Sequence, residues 1–292
     1  MTGPGALAPP PWPKRLRRLA MGLATVTGLA PRGWFIPYRY AGATPVAAAY
    51  PALRSMFETA EPGMRDLLVE MAGHGAALAR FRGAAPPLPR WEQGWYPRLD
   101  GLAAYALTRR LAPARIVEVG SGHSTRFLAA ALADAGHPGR IDAIDPAPRA
   151  DLARLPAVTL HRTVVQRADP ALFAALRPGD VLAVDSSHIA MPGSDVDWLL
   201  GHVLPALPAG AFLAVHDIFL PDGYPAGWGW RGYNEQTALA ALLAGGGWEI
   251  LWSSHWAATR LGPAVAASPA ADLPHHAGAR ESALWLRRVE RS

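Results

Sequence analysis

Four short polar clusters carry residue types that could do chemistry, and each follows an apolar run: Glu118-Val-Gly-Ser-Gly-His123, Asp145 before a proline, Asp185-Ser-Ser-His188, and His216-Asp217. In the first, Ile116, Val117 and Val119 suit a buried strand, Gly120 and Gly122 a tight turn, and Ser124 or Thr125 the cap of a following helix. Strand, glycine turn and helix start make a nucleotide-type cradle, with Ser121 and His123 beside the glycines and the Glu118 carboxylate open to a cationic or hydroxyl-bearing cofactor. Alone the turn is a weak signal, since Thr125 replaces the third glycine of a dinucleotide fingerprint. Asp145 strengthens it, because a carboxylate beyond the second strand can accept both hydrogen bonds of a ribose diol; the plainer reading makes it a turn initiator.

Asp185, His188, His216 and Asp217 follow two runs that read as neighbouring strands, so their side chains should converge. One use is a divalent metal on Asp185, His216 and Asp217 that acidifies a substrate hydroxyl. Another is general-base chemistry by His188 or His216 without metal, and the structural alternative is that these groups only cap and orient loops. The stretch 218–233 reads as a substrate lid, with Tyr224, Trp228, Trp230 and Tyr233 as walls and Gly227, Gly229 and Gly232 as hinges, or else as a core seal or dimer contact. His74, His137, His161, His202, His275 and His276 read as surface or packing residues.

The elements that must position these groups alternate. Strands are predicted at 116–119, 140–144, 158–162, 181–185, 212–217, 249–252 and 283–287, with helices at 124–133, 170–176, 195–204 and 235–243 between them. This pattern specifies an α/β fold with a mostly parallel, doubly wound sheet. Upstream, helical spacing predicts a helix over 99–111 and two helices over 51–81, broken at 61–63 by Glu-Pro-Gly. Trp91, Trp95 and Tyr96 lie in a proline-bounded loop that either closes over a pocket or packs on the core, and 255–280 reads as a long irregular loop. The aromatics of 31–40 are expected to dock, since water is a costly environment for them.

Half of the 292 residues are apolar, enough for one large domain with an extension. The formal charge of +5 comes from scattered arginines and the single lysine, Lys14, with no arginine–aromatic stripe of a nucleic-acid footprint. The absence of cysteine excludes disulfides, thiolate metal sites and a thiol nucleophile. Residues 1–13 have a disordered composition. The basic group Lys14, Arg15, Arg17 and Arg18 precedes a weak apolar run at 19–30, too short for a membrane span, which reads as a short surface helix, with a membrane-surface anchor as the alternative.

Four motifs in order, VEVGSGHSTRF at 117–127, IDP at 144–146, GDVLAVDSSH at 179–188 and VHDIFLP at 215–221 followed by YNEQ at 233–236, resemble class I S-adenosylmethionine-dependent methyltransferases, within them the methyltransferase family 24 branch. FIPYRY at 35–40 is also similar to N-terminal extensions of that branch. The resemblance implies a Rossmann-like, doubly wound seven-stranded sheet with an antiparallel last strand and an N-terminal helical extension. It places the cofactor's methionine part over Glu118, Gly120, Ser121, Gly122 and His123, its ribose on Asp145, and its adenine near Gln166, where Gln166 or Arg167 replaces a commonly acidic residue. Asp185 would border both cofactor and catalytic site; Asp185 and Asp217 fit a magnesium site of catechol-type and sugar O-methyltransferases, while His216 stands where oxygen is usual and suits zinc, manganese or iron better. The implied activity is O-methylation of a small-molecule or glycan hydroxyl, with Asp185, His188, His216 and Asp217 activating or positioning it. A cytoplasmic protein with no transmembrane segment, no nucleic-acid partner and a homodimeric contact is expected. Its organisation is expected as a basic segment 1–30, a helical and aromatic extension 31–98, and a cofactor-binding domain 99–292. The alternatives are a nicotinamide-dependent oxidoreductase, disfavoured by the missing third glycine and Tyr-x-x-x-Lys dyad, and a non-catalytic cofactor-binding scaffold.

Overall fold

The computed structural model describes residues 12–41, 43, 49–136, 138–152 and 154–290, so the expectations for 1–11 and His137 lie outside the described residues. In chain order the helices are α1 (Trp12–Val26), α2 (Arg54–Ala72), α3 (Gly75–Ala79), α4 (Arg98–Leu111), α5 (His123–Asp134), α6 (Ala171–Ala174), α7 (Asp195–Trp198), α8 (Glu235–Ala244), α9 (Ser254–Arg260) and α10 (Gly262–Ala266). The strands are β1 (Arg115–Val119), β2 (Arg140–Ile144), β3 (Val158–His161), β4 (Val181–Val184), β5 (Phe212–Val215), β6 (Trp248–Ser253) and β7 (Leu284–Arg288).

They form one seven-stranded sheet in the order β3-β2-β1-β4-β5-β7-β6. β1 to β5 run parallel, and β7 inserts antiparallel between β5 and β6. β4 and β5 consist of buried Val, Leu, Ala and Phe because both faces of the sheet are covered. The chain direction reverses its progress across the sheet at β1, leaving a crevice between the carboxyl ends of β1 and β4. Phe57, Met64, Leu67, Leu68 and Met71 of α2 and Leu102 and Leu107 of α4 belong to the same core as the strands.

Three expectations are corrected. The predicted break at 61–63 is absent: α2 runs through Pro62, because its buried stripe, Phe57, Met64, Leu67, Leu68 and Met71, keeps helical spacing across the proline. The carbonyl that Pro62 leaves without a partner belongs to the exposed Glu58, where water can satisfy it. The predicted loop 255–280 contains α9, α10 and a 3₁₀ turn at Pro269–Asp272, each started by a local cap or proline, such as Ser253 accepting from the Trp256 N–H. The predicted helix 195–204 is helical throughout but not uniformly α: α7 continues as a π turn over Leu199–Val203 and a 3₁₀ turn to Ala206. The aromatics of 31–40 are exposed on this chain, with Trp34 alone among them bordering the main cavity, so the described residues leave the expected docking untested.

Candidate active site

A cavity of about 940 Å³ opens over the carboxyl ends of the parallel strands. Its floor is the turn after β1. Gly120 has φ +79°, and a Cβ there would lie 1.9 Å from the Asp185 carbonyl oxygen, so only glycine allows the β1 and β4 ends to approach this closely. The Gly122 N–H donates to Thr125 Oγ1 at 2.9 Å, which starts α5. Glu118 does not line the cavity. It is buried and accepts the hydroxyls of Ser124 and Thr125 at 2.6 and 2.5 Å, fastening the turn to α5. Burial pushes its carboxyl up to about 8, against the pull of those two hydroxyls and with help from Asp185 and Asp145.

Asp145 lines the cavity and accepts the Ser121 N–H and hydroxyl at 2.9 and 3.1 Å, coupling the β1 turn to the end of β2. Gln166 also lines it and donates to the Gly193 carbonyl at 2.9 Å. His123, at the start of α5, stacks on Trp95 with ring centroids 5.6 Å apart. Burial, then the charges of Arg126 and Arg90, lower His123 to about 4, so it is neutral at physiological pH. Arg126 is only 4% exposed, yet its Nε has no hydrogen-bond partner, and the same is true of Arg90 Nε and His123 Nδ1. All three line one corner of the cavity, where partnerless donors beside two guanidiniums favour an anionic group.

The opposite side holds a row of acidic and imidazole groups. His216 Nε2 lies 3.0 Å from Asp100 Oδ2, and His216 Nδ1 lies 3.3 Å from Asp185 Oδ1. His188 Nε2 faces the same Asp185 oxygen at 3.3 Å, while its Nδ1 lies 2.9 Å from Glu235 Oε2. Asp217 stands beside both rings, 3.6 Å from His216 Nδ1 and 3.5 Å from His188 Nε2. Each imidazole is therefore held between an outer buried carboxyl and the central Asp185–Asp217 pair. A tyrosine ring covers each one, Tyr96 at 4.8 Å from His216 and Tyr233 at 4.7 Å from His188.

The electrostatics follow from this row. Burial alone would lower both histidines, but for His216 the charges of Asp185 and Asp217 with the Asp100 hydrogen bond, and for His188 the bonds to Asp185 and Glu235, hold them well above 6.5. Burial would raise Asp185, but His216 and His188 outweigh it and keep its carboxyl far below the usual range. His188 and Asp217 have φ values of 59° and 57°, left-handed conformations that are uncommon outside glycine. The YNEQ stretch enforces them: the N–H groups of Asn234 and Glu235 donate to the His188 carbonyl, and Gln236 accepts the Phe219 N–H.

Of the residues predicted to contact ligands, Gly120, Ser121, Gly122, His123, Asp145, Gln166, Asp185, His188, His216, Asp217, Trp228 and Tyr233 line the cavity. Tyr224 instead accepts the Gln236 N–H and packs on Phe219, and Trp230 faces Lys14. Sequence reasoning assigned no role to Asp100, Glu235, Arg90 or Arg126. Asp100 sits in a stretch with a helical pattern and no motif; its carboxylate is turned inward by the N–H groups of Ser282 and Ala283, far away in sequence. Glu235 was visible only as part of YNEQ.

The donor set does not fit the predicted metal. Both His216 nitrogens face carboxylate oxygens at hydrogen-bonding distance, and among the described residues no group of three or more His, Asp or Glu could hold an ion. No helix among the described residues is long and apolar enough to cross a membrane.

Residues 117–218 match the family described as "Methyltransferase domain". No curated protein matches the chain. Among solved structures, the chain is similar to the O-methyltransferase TomG of Streptomyces achromogenes, involved in tomaymycin synthesis and bound to SAM, at 18% identity over 77% of this chain and 90% of that one, with a TM-score of 0.40. It is also similar to the SAH-bound methyltransferase PaMTH1 of Podospora anserina, at 17% identity over 88% and 100% of the two chains and a TM-score of 0.41. An O-methyltransferase of Bacillus cereus in complex with SAH matches at 14% identity over 76% and 90%, with a TM-score of 0.41.

Proposed function

We propose that this chain, whose residues 117–218 carry a class I methyltransferase domain of the family 24 type, transfers a methyl group from S-adenosylmethionine to a hydroxyl of a small molecule or glycan. The observation that carries the reading is the pairing, within one cavity, of a glycine-floored cofactor cradle with Asp185, Asp217, His188 and His216, the two imidazoles being backed from outside the cavity by the buried Asp100 and Glu235. An excess of acidic over basic groups there suits a sulfonium and not an anionic reacting centre.

When bound, S-adenosylmethionine supplies an electrophilic methyl on a positively charged sulfur. In this reading the chain's residues would hold it, with the methionyl backbone over the open space at Gly122, the ribose diol on Asp145, the adenine edge on Gln166 and the carboxylate on Arg126 and Arg90; the open space, the shared cavity and the unpartnered arginine Nε atoms support this. In this reading residues 99–292 form the cofactor-binding unit, and the 31–98 extension supplies its roof through Trp34, Arg90, Trp95 and Tyr96.

Asp185 and Asp217 orient the acceptor by accepting its O–H, and His188 and His216, as imidazoliums, keep those oxygens charged and aimed. An attacking oxygen becomes strongly acidic as its new bond forms, so a carboxylate of low basicity such as Asp185 suffices to take the proton. Positioning supplies the rest of the rate, with Tyr96 and Tyr233 excluding water from the two rings. No step needs a metal ion, because the groups that would ligate one are engaged with each other.

The test is calorimetric titration with S-adenosylmethionine, followed by product detection across a panel of phenol, sugar and glycan acceptors with and without chelator. Cofactor binding and chelator-insensitive methyl ethers are expected. Absence of cofactor binding, or methylation confined to nitrogen, would overturn the reading.

A further inference from the structure

α1 is laid on the protein the wrong way round for an ordinary surface helix. Trp12, Leu16, Leu19, Leu23 and Val26 recur at spacings that align them in one stripe, and all five are exposed, between 53 and 67%. The residues that turn inward lie on the opposite side by the 3.6-residue repeat: Met21, Ala24 and Thr25 are half-buried, and the Lys14 ammonium sits 4.6 Å from the Trp230 ring centroid. No residue of the helix is buried. The chain that follows adds Leu29, Trp34, Phe35, Ile36, Tyr38 and Tyr40, all exposed.

Charge says what this surface meets. No acidic residue precedes Glu58, whereas Lys14, Arg15, Arg17, Arg18, Arg32, Arg39 and Arg54 are basic. By the same repeat Arg15 and Arg18 flank one edge of the apolar stripe, while Arg17 falls on the side of Met21 and Ala24. A helix of 15 residues is about 22 Å long, short of the roughly 30 Å hydrocarbon core, so it cannot span a bilayer but can lie in its surface. Apolar stripe, flanking cations and a following run of interfacial aromatics are the features of an in-plane membrane helix.

We propose that α1 together with residues 29–40 docks this protein on an anionic lipid surface. Pairing with a second copy is disfavoured: the stripe extends about two heptads, less than a stable coiled coil uses, and it would bring cations together with no acidic partner. Nucleic acid would meet the apolar stripe first. Because Trp34 borders the cavity and α1 touches the 226–231 segment, whose Trp228 and Arg231 also line it, docking sets the cavity mouth near the headgroups. The inference is independent of the methyl-transfer reading.

Flotation of the full chain with vesicles tests it, using phosphatidylcholine alone against phosphatidylcholine with about one-third phosphatidylglycerol. Binding to the anionic vesicles, weakened by salt, is expected. The double variant Leu19→Glu, Leu23→Glu should lose it by at least about tenfold with an unchanged melting temperature, and Arg15→Gln with Arg18→Gln should weaken only anionic binding. The proposal is overturned if the chain does not float, if the leucine variant floats like the wild type, or if that variant instead dissolves a concentration-dependent dimer or abolishes binding to DNA.

Discussion

The Nε2 of His216 lies 3.0 Å from Oδ2 of Asp100, a fully buried carboxylate that also accepts the backbone N–H groups of Ser282 and Ala283. That bond ties the end of β5 to the start of α4, and it makes His216 an ion-pair member before any ligand arrives. Asp100→Asn removes one of the three acidic groups holding the ring protonated, so the His216 pKa should fall. Imidazole NMR titration would read this, and an unchanged His216 resonance would disprove the coupling.

The pH dependence has a definite sign. Both histidines have folded pKa values above the unfolded value of about 6.5, so their stability contribution is complete below that pH and is lost as pH rises through the folded values. Asp185 is depressed, so its contribution is present above its unfolded value and lost on acidification. If imidazoliums orient Asp185, methyl transfer should persist above pH 7 and fall only as the raised histidines deprotonate. A rate that instead climbs about tenfold per unit through neutral pH and levels only above the raised histidine values would indicate a neutral histidine base.

Gly120 and Gly122 should respond differently to alanine. Gly120→Ala drives a Cβ into the Asp185 carbonyl and should lower the melting temperature sharply. At Gly122 the space is open, so the alanine variant should fold normally and lose cofactor affinity only if the ligand lies over this residue. Equal destabilisation of the two would contradict the geometry.

Arg126 offers a cleaner probe of the cofactor. Arg126→Gln removes a charge-assisted bond worth roughly 1.5–3 kcal/mol, or about a tenfold to hundredfold weaker Kd for S-adenosylhomocysteine. Binding of methylthioadenosine, which lacks the carboxylate, should be nearly unchanged. If both ligands weaken alike, the arginine supports the fold and not the ligand.

Glu118 is raised to about 8 by burial, so at neutral pH the folded state keeps a proton that the unfolded chain has released. Its ionisation costs stability increasingly from about pH 4.5 to 8. Glu118→Gln should therefore gain stability relative to wild type, by more than about 1 kcal/mol at pH 8 and by little at pH 4.5, in paired thermal melts.

The strands were legible because a fully buried parallel strand is a short apolar run, and the polar residue just past it marks the sheet's ligand-binding edge; Asp145, Asp185, His188, His216 and Asp217 were found that way. Pro62 misled because breaker rules are local, whereas the stripe of α2 on the sheet decides whether the helix continues. What the aromatics of 31–40 would dock on was not legible, because residue type gives the cost of leaving them in water and not the surface that covers them.

By itself, then, the sequence determined the sheet, the glycine turn and the acids and histidines at its edge, since all of these follow from periodicity and backbone sterics within short windows. Only the tertiary structure decided that His216 belongs to Asp100 and His188 to Glu235, that Glu118 faces its own helix, and that Arg90 and Arg126 share a corner. Those relationships join residues far apart in the chain, and charge and proton position depend on distances that no local pattern encodes.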